Sequence, residues 1–147
     1  MEHELGNPEW IDTARSFVTL LGAPTSDDAL RLLTPDVTYR VLGNHALSGA
    51  FTGRDEAARH LAALVRQTEG RIDPIKFVDW MLGLSHVSVL VDVEVEVGSA
   101  AQQIEHLILM RFNAADLIDE VIVFFADPEV ADRVYGRYLR GAPTPEH

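Results

Sequence analysis

His106 is the residue of this chain best suited to moving a proton, because imidazole titrates near neutrality and can take a proton from a hydroxyl or an activated carbon. It stands in the middle of Gln103-Ile104-Glu105-His106-Leu107-Ile108-Leu109-Met110-Arg111-Phe112, a strand apolar on both faces, where burial disfavours the charged form. The alternative role is a core histidine satisfied by a neighbouring tyrosine or carbonyl, since buried polar groups find partners. Tyr39 shares a strand face with Val37 and Val41; its phenol either donates a hydrogen bond to a developing oxyanion or packs as core. Trp80 offers an aromatic wall and an indole donor, with Asp79 taking its place if the strand register slips by one. His45, in a glycine-punctuated segment, is a lid residue or an ordinary exposed loop histidine, and Asp127 caps a helix near where a cavity could open.

Other chemistries lack their residues. The chain has no cysteine, which excludes disulfides and thiolate nucleophiles and leaves the redox compartment open. No His-x-x-x-His or Glu-x-x-His pair offers a metal site, and no Gly-x-Gly-x-x-Gly or phosphate loop is present. Any catalysis is therefore expected to be acid/base work without a cofactor. A formal charge of -11 argues against binding nucleic-acid phosphates or an anionic membrane surface, and points to a neutral or apolar small molecule. The acidic opening Met1-Glu2-His3-Glu4 leads into no continuous apolar run, so a cytoplasmic protein without a secretory leader is expected.

With 147 residues and 47% hydrophobic content, the chain suits one domain. Asn7-Pro8-Glu9 starts a helix that presents Trp10, Ala14, Phe17, Val18 and Leu21 until Gly22. Ser26 is expected to cap a short helix from Asp27 to Leu33, before a strand from Asp36 to Leu42. After an irregular segment punctuated by Gly43, Gly49 and Gly53, a third helix runs from Arg54 to Glu69. Strands follow at Ile75 to Leu82, His86 to Val97, Gln103 to Phe112 and Leu117 to Ala126; their short connections predict antiparallel neighbours. From Val87 to Val97 valine occupies every second position, so one face of that strand is dry. Asp127-Pro128 opens a last helix through Tyr138, ahead of a Gly/Pro-rich tail expected to be mobile.

The class is α+β, with helices on one face of an antiparallel sheet. Leu107, Leu109, Ile122 and Phe124 would leave an apolar patch on the other face, for which a homodimer through the sheet is the simplest cover.

The order of elements, together with Leu33-Thr34-Pro35-Asp36-Val37-Thr38-Tyr39-Arg40-Val41-Leu42-Gly43 and Leu47-Ser48-Gly49-Ala50-Phe51-Thr52-Gly53-Arg54-Asp55-Glu56, resembles the SnoaL-like branch of the nuclear transport factor 2-like superfamily. Val78-Asp79-Trp80 with His86-Val87, and Leu117-Ile118-Asp119-Glu120-Val121 ending at Asp127, continue the match over nearly the whole chain. The resemblance implies a cone-shaped α+β barrel, its curved antiparallel sheet wrapped around the N-terminal helices and a deep apolar pocket. That scaffold serves polyketide cyclases, ketosteroid isomerases, epoxide hydrolases and non-catalytic binding modules. It turns Ile104, His106, Ile108 and Met110 inward, with Val37, Tyr39 and Val41 on the first strand and Val121, Val123 and Phe125 on the last. His60 falls where the family carries a large aromatic aimed at the pocket, as a cavity-mouth residue or a solvated helix histidine.

The same resemblance removes the standard machinery. The isomerase base, oxyanion tyrosine and second acid correspond to Val41, Phe17 and Ile108, and the aspartate of related epoxide hydrolases and cyclases to Val123. These four, with Trp80, His60 and Phe125, are expected to line the pocket, leaving His106 and Tyr39 as the catalytic candidates. The expected function is a cofactor-independent cyclase or isomerase of a polyketide- or terpenoid-type molecule. An epoxide-opening hydrolase needs Asp79 or Asp119 turned inward, and a dimeric binder of an apolar molecule needs no such group.

Overall fold

A computed structural model of the chain describes residues 6–22, 27–97 and 100–141. In chain order these form α1 (Glu9–Thr19) with a 3-10 turn (Leu20–Gly22), α2 (Asp27–Leu30), β1 (Leu33–Val41), β2 (Gly49–Thr52) and α3 (Arg54–Thr68). β3 (Ile72–Leu82), β4 (His86–Val97), β5 (Ala100–Phe112), β6 (Ile118–Phe125) and α4 (Pro128–Gly141) complete the order.

Alternation decides what lies at the centre. Val87, Val89, Val91, Val93 and Val95 of β4 are each at most 3% exposed, while Glu94 on the opposite face is open to solvent. The six strands make one sheet in the order β2-β1-β6-β5-β4-β3. From β3 to β6 the sheet is an antiparallel meander, as the short connections require. β1 then lies parallel to β6, which departs from an all-antiparallel sheet. No turn links those two strands, so nothing local forces them to run in opposite directions. Register shifts at Pro74/Lys76 and Phe77/Asp79 bend β3, and its edge position explains why a proline is tolerated within it.

Several boundaries differ from the sequence pattern: β3 and β5 each start three residues earlier, at Ile72 and Ala100, and α4 runs three residues further, to Gly141. The helix expected to reach Leu33 ends at Leu30, and Leu33 instead opens β1, fully buried and paired with Ile118. Pro35 disfavours helical geometry at Thr34, and burial of Leu33 beside β6 decides the outcome. Gly49–Thr52, expected to be irregular, pairs with β1 as a short antiparallel strand whose mostly exposed side chains show no alternation. Ser26 and the tail beyond Gly141 lie outside the described residues.

The helices cover one face of the sheet. α1 buries Ala14, Phe17 and Val18; α3 buries Ala57, Leu61 and Leu64; α4 buries Ala131, Val134 and Tyr135. Asn7 Oδ1 accepts the Glu9 N–H at 2.9 Å, and Asp127 Oδ1 accepts the Glu129 and Val130 N–H groups at 3.2 and 3.4 Å, so both cap-then-proline signatures begin helices. Trp10 of α1 stacks on Phe112 with ring centroids 4.9 Å apart and donates from Nε1 to Asp116 Oδ1 at 2.9 Å. Trp10→Phe keeps the stack and loses the hydrogen bond, at an expected cost of about 1 kcal/mol in urea unfolding. Trp10→Ala, which also empties the space against Phe112, should cost about 3 kcal/mol in the same measurement.

The opposite face carries Leu90, Leu107 and Phe124 in one cross-strand row and Leu109 beside Ile122 in the next. Ile122 is 7% exposed although it stands apart from the helix-covered core, because its neighbours on this face shield it.

Candidate functional site

The inner faces of β1, β5 and β6 do not close completely against α3, α4 and the segment 42–48. Between them lies a cavity of about 30 Å³ with a largely aliphatic wall that includes Val41, Leu64, Ile108 and Val123. That volume holds on the order of one water, against the several hundred Å³ that enclose a drug-sized ligand. The pocket is thus much narrower than the resemblance implied, because rings occupy it: His45, His60, His106, Tyr39, Tyr135 and Phe125 all stand in the lining.

His106 owes its place to strand alternation, between Val91 of β4 and Phe125 of β6 in register. Its Nδ1 lies 3.0 Å from the Ile104 carbonyl oxygen. A carbonyl only accepts, so the proton sits on Nδ1 and Nε2 keeps its lone pair. Burial lowers the pKa to about 4 against a smaller opposing pull from the Ile104 hydrogen bond. At neutral pH His106 is therefore an uncharged imidazole, packed edge-to-face with the Phe125 ring, 4.7 Å between centroids.

Tyr39 and Tyr135 supply the complementary groups. Burial raises both phenol pKa values well above the ordinary range, with Tyr135 adding to the shift at Tyr39, so both hydroxyls stay protonated donors. His60 stacks on Phe51 at 4.6 Å and stands 5.2 Å from Tyr39; burial first, and then His45, lower its pKa to about 4.

His45 is a wall residue rather than an exposed lid. The Leu47 N–H donates to its Nδ1 at 3.1 Å, folding the segment back over the cavity and placing the ring proton on Nε2. That Nε2 is buried and makes no hydrogen bond with the described residues; the Asp132 carboxylate and Leu42 carbonyl attract it from outside bonding geometry. Burial, the larger influence, lowers the His45 pKa despite them. Gly43 makes this approach possible: its φ is +133°, and a Cβ there would come within 2.9 Å of the His45 ring.

Of the residues singled out from sequence, His106, Tyr39, His60, Val41, Ile108, Val123 and Phe125 meet around this one cavity. Phe17 and Trp80 lie outside its lining. Phe17 is fully buried behind Tyr39, 6.2 Å between ring centroids. Trp80 does face inward, with Asp79 exposed, but β3 is the far edge of the sheet, where Trp80 packs against Phe77 beneath the Arg15 guanidinium. Asp119 pairs with Arg111 at 2.8 Å, Asp127 is exposed at its helix cap, and no carboxylate lines the cavity among the described residues. Tyr135, which no motif in the sequence marks, joins the others in the cavity lining; its signal is the apolar helical spacing of Ala131, Val134 and Tyr135. Among the described residues no His, Asp and Glu side chains cluster as a metal site, and no helix is long and apolar enough to cross a membrane.

No protein-family model and no curated protein sequence matches the chain. Solved structures do. A protein of unknown function with a cystatin-like fold from Xanthomonas campestris is 24% identical, with a TM-score of 0.73 over 87% of this chain and 98% of that one. Bal32a, from a soil-derived mobile gene cassette, is 13% identical with a TM-score of 0.78, covering 86% and 96% of the two chains. An NTF2-like protein from Anabaena variabilis is 15% identical with a TM-score of 0.71, covering 86% and 95%. The chain has the NTF2-like cone fold, a mixed α+β architecture with a curved sheet.

Proposed function

We propose that this protein is a SnoaL-like, cofactor-independent cyclase or isomerase of an apolar, polyketide- or terpenoid-type small molecule. The supporting observation is a neutral histidine with its Nε2 lone pair left to an apolar cavity that also holds two protonated phenols. In this reading His106 Nε2 takes a proton from a carbon next to a carbonyl. The electron pair moves to the carbonyl oxygen, where Tyr39 and Tyr135 donate hydrogen bonds to the developing oxyanion. The imidazolium returns the same proton at a second carbon for isomerisation, or to oxygen after ring closure. The aliphatic wall holds the substrate folded for that step. Epoxide opening by a carboxylate finds no support, since none lines the cavity among the described residues.

The experiment is a mass spectrum of the compounds that co-purify with the protein and with Ile108→Trp, which fills the cavity. A compound present in the first and missing from the second is expected; identical sets from both would overturn the assignment of the cavity.

A second reading, a non-catalytic binder, is favoured by the low basicity of His106 and the narrowness of the cavity. Both readings include a homodimer through the outer sheet face, where Leu90, Leu107, Leu109, Ile122 and Phe124 are contiguous. Leu109→Arg sets an unpaired charge in that patch and should weaken the dimer on the order of a hundredfold, read by analytical ultracentrifugation.

A further inference from the structure

A groove of about 280 Å³ runs on the outside of α3 against the segment 46–51, and Phe51 and Ala63 form part of its floor. Leu47 and His60 line both this groove and the inner cavity, so these two side chains are the partition between outside and inside. The partition is lightly held at His60. Its ring is kept by stacking on Phe51, 4.6 Å and 26° between planes, and by a tilted contact with Tyr39 at 5.2 Å, and no hydrogen bond from the described residues anchors it. Swinging such a ring aside forfeits these two aromatic contacts, each on the order of 1 kcal/mol. With the partition open, groove and cavity become one space of a size that suits a small ligand.

The mouth has a polar character of its own. Of its two charged side chains, Glu56 is engaged, since its Oε1 accepts the Thr52 N–H at 2.7 Å. Arg59 is exposed, and among the described residues no carboxylate comes within 4.0 Å of its guanidinium. As sequence neighbours on a helix, Arg59 and His60 point about 100° apart, which puts the cation at the rim and the imidazole in the partition. Glu56 keeps its charge, but in a chain of net charge -11 a guanidinium with no salt bridge among the described residues, beside an apolar groove, offers its fork of donors to one negative group.

We infer that this groove is the mouth of the cavity, gated by Leu47 and His60, and that its ligand is a monocarboxylate whose acid head stays on Arg59 while its apolar body reaches through toward His106. This rests on reading the cavity as the binding site.

Octanoate and octan-1-ol serve as probes, alike in chain and different in head. Affinities are measured by calorimetry, and arrival in the cavity by the NMR shift of the His106 ring protons. Octanoate should bind the unaltered protein at least tenfold more tightly than octanol, with both shifting His106. Arg59→Gln should bring octanoate down to the affinity of octanol and leave octanol unchanged. Ala46→Trp, at an exposed position on the groove wall, should abolish the His106 shift for both probes while thermal unfolding stays where it was. Equal affinities for the two probes, or an Arg59→Gln protein that still prefers octanoate, would overturn the acid head. An undiminished His106 shift in a folded Ala46→Trp protein would overturn the mouth. If neither probe shifts His106 in the unaltered protein, the cavity is not the binding site and the inference falls with it.

Discussion

His106→Ala is expected to slow turnover of the cavity's substrate on the order of 10²–10⁴-fold, the range for loss of a positioned general base. Tyr39→Phe should cost on the order of 10²-fold, as removal of one oxyanion donor does. The pH profile distinguishes this role from mere packing. A base must be unprotonated to act, and burial lowers the His106 pKa to about 4. Activity should therefore stay level from neutrality down to about pH 5 and fall only below it, without the break near 6.5 that a solvated histidine gives. A base this weak removes only protons that the substrate's carbonyl has already acidified, so the phenol donors matter as much as the imidazole. Once the oxyanion forms, its charge stabilises the imidazolium beside it, which restores some of the basicity lost to burial. Full turnover in both variants would remove these residue roles and leave the binder reading standing.

The second large effect is on stability. His60 and His106 both titrate near 4 in the folded chain, against about 6.5 when unfolded, and His45 is lowered in the same direction. Between those pH values the unfolded chain binds protons that the folded chain refuses, so stability falls as the solution is acidified through that window. From pH 7 to pH 5 the loss should be about 2 kcal/mol for each of the two histidines, with His45 adding to it. Urea unfolding at the two pH values measures the difference. His60→Leu or His106→Leu should each flatten the dependence by about one such share. The tyrosines play no part, since both phenols stay protonated throughout. A stability unchanged between pH 7 and pH 5 would show that these rings are open to water.

The central strands were legible because their pattern has one physical meaning. Valine at every second residue can bury only one face, and β4 runs from His86 to Val97, the span the alternation predicts. The same rule puts His106 and Ile108 on one face of their strand, and the resemblance turns that face inward with Val123 and Tyr39, all four of which line the cavity. Periodicity says which way a side chain points, but not what stands opposite or how far away. Trp80 shows the gap: it points inward, yet at the edge of the sheet it meets Phe77 and Arg15 rather than the cavity. His45 shows another. Loop histidines are ordinarily exposed, and this one is buried by a local hydrogen bond from Leu47 and a glycine at 43 that lets the chain approach, neither of which has a periodic signature. The volume of the cavity depends on how rings from six separate segments interlock, information that no single stretch of the chain carries.

The parallel pairing of β1 with β6 joins the first strand among the described residues to the last. The meander from β3 to β6 can zip from neighbours in sequence, whereas β1 has to close a loop that spans most of the protein. During synthesis β1 is made before β6, and it can pair only once β6 has left the ribosome. Tyr39 and Val41 arrive with it, so the cavity wall is completed at the end of folding, and a chain arrested before β6 has a sheet in the making but no site.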